Sequence, residues 1–156
     1  IYDDRIVTSS NRIPVVADMA FGEFRASTTF GPCLSTDVMI FPGGMPGSSN
    51  LAAFPKLMDI MLQHYEAGGT LAAICAAPSV VLGLLPTLEG KKMTCYDGFE
   101  EALQAKGAEY VKEGVVVDGN IITGRGPGWA VEFGLAILSL IKGQETADKV
   151  KAGLML

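Results

Sequence analysis

The hydrophobic pattern along the chain alternates between short apolar runs and helical stripes. Residues 37–41 (Asp-Val-Met-Ile-Phe) are almost continuously apolar and stop at Pro42-Gly43-Gly44, the pattern of a buried parallel strand entering a loop. Between residues 51 and 65 the apolar positions 54, 57, 58, 61, 62 and 65 predict a helix, with Pro55 near its start and Gly68-Gly69 closing it. Residues 71–74 predict a second buried strand. Residues 76–85 predict a helix, whose first turn tolerates Pro78 because no intrahelical bond needs its missing N–H. A short strand at 92–95 and a helix at 99–106 follow. Val115-Val116-Val117 and Ile121-Ile122-Thr123 then flank Asp118-Gly119-Asn120 as the arms of a hairpin. Residues 128–141 form an amphipathic pattern, and a short helix falls within 145–152. At the other end, residues 6–18 read as an edge hairpin turning at Ser9-Ser10-Asn11, where Pro14 fits only an edge strand, and residues 21–32 read as irregular. Strands alternating with helices imply an α/β architecture, a parallel sheet covered on both faces.

Composition narrows the class. The 156 residues fit one compact domain, and an apolar share of 49% provides a sizeable core. No uninterrupted apolar stretch approaches the ~20 residues that span a bilayer, so no membrane partner is expected. A net charge of -5 without a basic cluster argues against nucleic acid or acidic lipid. The first residues carry no basic and apolar leader pattern, so a soluble cytoplasmic protein is expected. Cys33, Cys75 and Cys95 are an odd set without C-x-x-C spacing. With His64 as the single histidine, neither a metal site nor a disulfide scaffold is expected. Free thiols suit a reducing compartment.

The segment Thr70-Leu71-Ala72-Ala73-Ile74-Cys75-Ala76-Ala77-Pro78-Ser79 carries the chemistry. A strand runs straight into a helix with Cys75 at the corner, and small residues let the chain turn sharply, as at a nucleophile elbow. A thiol at a helix start meets orphan N–H groups that favour the thiolate. The N–H groups of Ala76 and of the Gly43-Gly44 loop are expected to face a developing oxyanion. The plain alternative is that Cys75 is a small buried hydrophobe.

Three motifs in order, Phe41-Pro42-Gly43-Gly44, Ala72-Ala73-Ile74-Cys75-Ala76-Ala77-Pro78 and Gly124-Arg125-Gly126-Pro127-Gly128 with Glu132-Phe133, resemble the DJ-1/ThiJ/PfpI superfamily, nearest its DJ-1 and bacterial YajL branch. The resemblance covers nearly the whole chain. It implies a flavodoxin-like three-layer sandwich of the class I glutamine amidotransferase type, a homodimer, and an oxidation-sensitive cysteine at the elbow. It also implies activity without a cofactor on a small reactive aldehyde or glycated substrate, of glyoxalase or deglycase type. The family's other described roles, redox-dependent chaperone and oxidative-stress sensor, are the alternative, and intracellular peptidase is a third. In the family's layout a first strand and helix bring a glutamate to the cysteine. This sequence resembles a chain that begins after them, so no acid within 1–156 takes that role. The residue after the cysteine is Ala76, where the peptidase branch has histidine, and the histidine some relatives place near the cysteine falls around Gly107 or Ala108. Both departures weigh against a Cys-His peptidase.

Other residues carry two readings each. Gly43 and Gly44 serve a tight turn or the close approach of a substrate. Cys95 ends a strand near the sheet's carboxyl edge, as a neighbouring thiol or pocket wall. Arg125 orients its loop through a salt bridge or binds an anion, while Pro127 sets the loop and opens the last long helix. Trp129 and Glu132 read as packing, and Cys33 as an incidental loop thiol. His64 reads as a surface residue on the polar side of its helix, and Arg12 as a solvated hairpin charge or, by resemblance, a dimer contact.

Overall fold

A computed structural model describes residues 4–23 and 38–156. Cys33 and most of the segment expected to be irregular lie outside the described residues. The central sheet has four strands: β3 (Val38–Phe41), β4 (Thr70–Ile74), β8 (Ile121–Gly124) and β7 (Val115–Asp118), side by side in that order. β3, β4 and β8 are parallel, whereas β7 is antiparallel to β8, so the sheet is mixed at this edge rather than parallel throughout. The cause is the two-residue turn at Gly119 and Asn120, with Asp118 opposite Ile121 and Gly119 at φ +59°, which returns the chain without a crossover.

Period-two alternation sends neighbouring residues of β4 to opposite layers. Leu71 and Ala73 join Ile121, Phe41, Met61, Leu82 and Leu85 in one buried cluster, against α2 (Pro55–Glu66) and α3 (Ala77–Val80). Ala72 joins Ile122, Phe133 and Ile137 in the second, against α5 (Ala130–Lys142). Helices therefore cover both faces. α6 (Gln144–Gly153) packs on α5. Beside the sheet lie β5 (Lys92–Met93), paired in parallel with β6 (Glu109–Tyr110), and α4 (Glu100–Gln104). β1 (Ile6–Thr8) and β2 (Pro14–Val16) make a separate antiparallel hairpin. No helix among the described residues is long and apolar enough to cross a membrane.

Three expected helices differ in detail. The stripe over 51–65 is split: α1 (Gly47–Ala52) stops, Phe54 adopts φ -102° and ψ 96°, and α2 starts at Pro55. Proline pushes its preceding residue out of the helical region, which is the physical reason for the break. The helix expected over 76–85 is only the four residues of α3, followed by a 3-10 turn at Leu82–Leu84. The valine pair 80–81 and Gly83 disfavour continued helix there. Residues 127–129, Pro127–Trp129, form a 3-10 turn that leads into α5.

His64 corrects the surface reading. Its ring is 1% exposed, lies under Gly69 and places Nε2 3.0 Å from the Thr70 carbonyl, while Nδ1 has no partner. The Thr70 carbonyl can only accept, so Nε2 donates to it. A Cβ on Gly69 would overlap the imidazole. Gly69→Ala is therefore expected to cost about 1–3 kcal/mol, read as a lower urea midpoint. An unchanged midpoint would contradict this packing.

Candidate functional site

The carboxyl ends of β3, β4 and β8 meet at one edge of the sheet, with Phe41 beside Ala73 and Ile74 beside Gly124. Open α/β sheets bind ligands at this edge. Cys75 follows Ile74 directly. Its φ is +66°, one of three non-glycine residues with positive φ among those described. An L-residue in this region is strained by about 1–2 kcal/mol, so its neighbours must hold it. The Cys75 N–H donates to the Gly124 carbonyl at 2.9 Å, and the Cys75 carbonyl accepts from the Tyr96 N–H at 2.9 Å.

Gly43 is pressed against the back of this corner. A Cβ there would overlap Cys75 Cβ and stand 2.6 Å from the Ile74 carbonyl and 3.2 Å from Cys75 Sγ. Close approach to the cysteine itself, rather than turn geometry, is thus what demands glycine at 43. Gly44 has φ +85°, and its carbonyl accepts from the Ser48 N–H at 2.9 Å, fixing the loop to α1. The N–H groups of Gly44 and Ala76, which follow Gly43 and Cys75 in the chain, donate to no described backbone group, and Cys75 is half-buried. The short length of α3 makes these local N–H groups, not a long helix dipole, the electropositive element here.

Arg125 resolves its two readings towards the ion pair. Nε and Nη2 each lie 2.7 Å from the Asp97 carboxylate, a bidentate fork, with Lys112 Nζ 3.5 Å from the same group. The hydrogen bond from Arg125 holds the Asp97 carboxyl below its ordinary value. Sequence reasoning missed Asp97, whose partner is 28 positions away and announced by no local pattern. Tyr96, Asp97, Arg125, Gly126, Gly128 and Trp129 line an open cleft of about 500 Å³ beside the Cys75 corner. Pro127 is not among the lining residues; it begins the 3-10 turn.

Cys95 is not a pocket wall. It is fully buried in the core cluster behind the cleft, because it follows β5 inward beneath α3. Burial pushes its thiol up, Ser79 moderates that, and the negative charges of Glu100, Asp97 and Cys75 add to the rise. Ser79 Oγ biases the thiol as a polar neighbour without a hydrogen bond of standard geometry. The nearby acids are otherwise engaged: Asp97 with Arg125 and Glu100 with the Gly98 N–H at 2.6 Å.

The strain at Cys75 has a measurable sign. Glycine occupies the left-handed region without penalty, whereas alanine does not. Cys75→Gly should therefore be more stable than Cys75→Ala by about 1 kcal/mol after glycine's entropic disadvantage. The reverse order in denaturant melts would contradict the left-handed corner.

Comparison with known proteins agrees with this fold. The family described as DJ-1/PfpI matches residues 2–140. Protein DJ-1 homolog A of Arabidopsis thaliana is 36% identical over 150 residues, 96% of this chain and 36% of the relative. The chain thus spans about a third of that plant protein's length. The protein named glutathione-independent glyoxalase DJR-1.2 of Caenorhabditis elegans is 31% identical over 142 residues, 91% of this chain and 71% of the relative. Among solved structures, Drosophila melanogaster DJ-1beta superposes with a TM-score of 0.81 at 32% identity, covering 97% of this chain and 77% of that one. The match runs through all three motifs around the Cys75 corner, and the chain belongs to the DJ-1/PfpI family.

Proposed function

We propose that the protein converts small 2-oxoaldehydes to 2-hydroxy acids without a cofactor, with Cys75 as the nucleophile. The observation that carries this reading is the left-handed, half-buried Cys75 at the carboxyl edge of the sheet, pressed against Gly43, with the neighbouring Gly44 and Ala76 N–H groups donating to no described backbone group. The name of the Caenorhabditis elegans relative supports the same chemistry.

In this reading the Cys75 thiolate adds to the aldehyde carbon, and the carbonyl π pair becomes an alkoxide that accepts from the Gly44 and Ala76 N–H groups. A base moves the C1 proton by way of an enediolate to C2, leaving a thioester of the 2-hydroxy acid. Water then attacks the thioester, releases the acid and returns the thiolate. One carbon is oxidised as its neighbour is reduced, so the step needs no external oxidant or reductant. The Tyr96–Trp129 cleft beside Cys75 would receive the rest of the substrate, including the larger body of a glycated adduct.

A second reading uses the same sulfur without turnover, as a peroxide sensor oxidised through sulfenate to sulfinate. Its support is that Cys75 is partly exposed while Cys95 is buried. Either reading takes the protein as a homodimer, for which the exposed Ile6, Val15 and Val16 of the β1–β2 hairpin offer apolar surface.

Incubation with methylglyoxal should yield lactate, and Cys75→Ala should lower kcat/KM by about three orders of magnitude or more. Equal turnover by Cys75→Ala would overturn the enzymatic reading.

A further inference from the structure

Cys75 and Cys95 lie 20 positions apart in sequence, yet one hydrogen bond fixes their backbones side by side. The Tyr96 N–H donates to the Cys75 carbonyl at 2.9 Å, and Tyr96 follows Cys95 directly. Standard bond lengths then keep the Cα atoms of Cys75 and Cys95 within roughly 8 Å. A disulfide requires about 4.4–6.8 Å between Cα atoms, a range that lies inside this bound. Both thiols belong to the same corner. Cys75 opens the turn into α3, Cys95 is packed in the cluster beneath α3 with Ala77, and Ser79 of the same helix is the polar neighbour of the Cys95 thiol.

We propose that Cys95 is the resolving thiol for Cys75, closing an intramolecular disulfide when Cys75 is oxidised by a hydroperoxide. The proposal rests on the reading of Cys75 as the reactive sulfur. In the first step the Cys75 thiolate attacks the peroxide. The O–O bond breaks, the sulfur is oxidised to a sulfenic acid, and the other oxygen leaves as water or an alcohol after taking a proton. In the second step the Cys95 sulfur attacks the sulfenic sulfur. An S–S bond forms, the S–O bond breaks, and the Cys95 proton leaves with the hydroxyl as water. A dithiol reductant reverses the result, so the site is protected from irreversible sulfinate.

The electrostatics at Cys95 give this pair an order of events. Burial and three negative neighbours, Cys75 among them, hold Cys95 as the protonated partner at rest. Its lack of exposed surface keeps external peroxide from it, so a bond within the corner is the product open to it.

The test is a peptide map of the protein after a few equivalents of hydrogen peroxide, with free thiols blocked by N-ethylmaleimide before digestion without reductant. Trypsin cleaves at Lys91 and Lys92, which puts the two cysteines on different peptides. The expected product is the Cys75–Cys95 linked pair, and Cys95→Ser should raise sulfinate at Cys75 severalfold at equal peroxide. Sulfinate at Cys75 in the unaltered protein, at a level that Cys95→Ser does not change, would overturn the proposal while leaving Cys75 the reactive sulfur. A Cys75 link to Cys33 or to a second molecule would overturn it equally. No modification at Cys75 at all would sink both this inference and the reading on which it rests.

Discussion

The backbone must turn from the largely buried strand β4 into α3 across Cys75 and Ala76, and at Cys75 it does so in a conformation that L-residues avoid. Two hydrogen bonds, from the Cys75 N–H to Gly124 and from the Tyr96 N–H to Cys75, clamp the peptide on both sides. Each contributes on the order of 1 kcal/mol, together enough to offset the strain of the corner. The missing Cβ at Gly43 supplies the remaining condition, because any side chain there would meet the cysteine. The clamp draws on β8 and the segment after β5, so distant parts of the chain converge on one sulfur.

This dependence explains why the sheet order matters to the chemistry. Placing β4 between β3 and β8 brings the Gly43-Gly44 loop to one side of Cys75 and the Gly124-Arg125 loop to the other. The Arg125–Asp97 fork then joins the loop after β8 to the segment after β5, fixing two walls of the cleft relative to each other. The fork is exposed enough to be screened, so its worth lies in geometry more than in stability.

Much of this was legible in the chain itself. The apolar runs ending at Pro42 and Cys75, the Asp118-Gly119-Asn120 turn and the small residues after Cys75 announce β3, β4, the hairpin and the elbow, because each is a local rule of period or turn chemistry. His64 defeated the pattern reading: a polar residue on the outer stripe of α2 is buried where the glycine pair lets β4 return across it. Asp97 and the burial of Cys95 were hidden for a similar reason, since both follow from contacts between segments remote in sequence. The length of α3 was misjudged because residues 76–85 carry a helical apolar pattern, while the valine pair and Gly83 weaken its continuation.

Everything turns on whether the Cys75 sulfur is an available nucleophile. The most direct measurement is the rate of iodoacetamide alkylation at each cysteine at neutral pH, resolved by mass spectrometry and compared with a free cysteine peptide. The account predicts that Cys75 reacts first and faster than the peptide, while Cys95 stays unlabelled until the protein unfolds. Labelling of Cys75 as slow as that of Cys95 would contradict it.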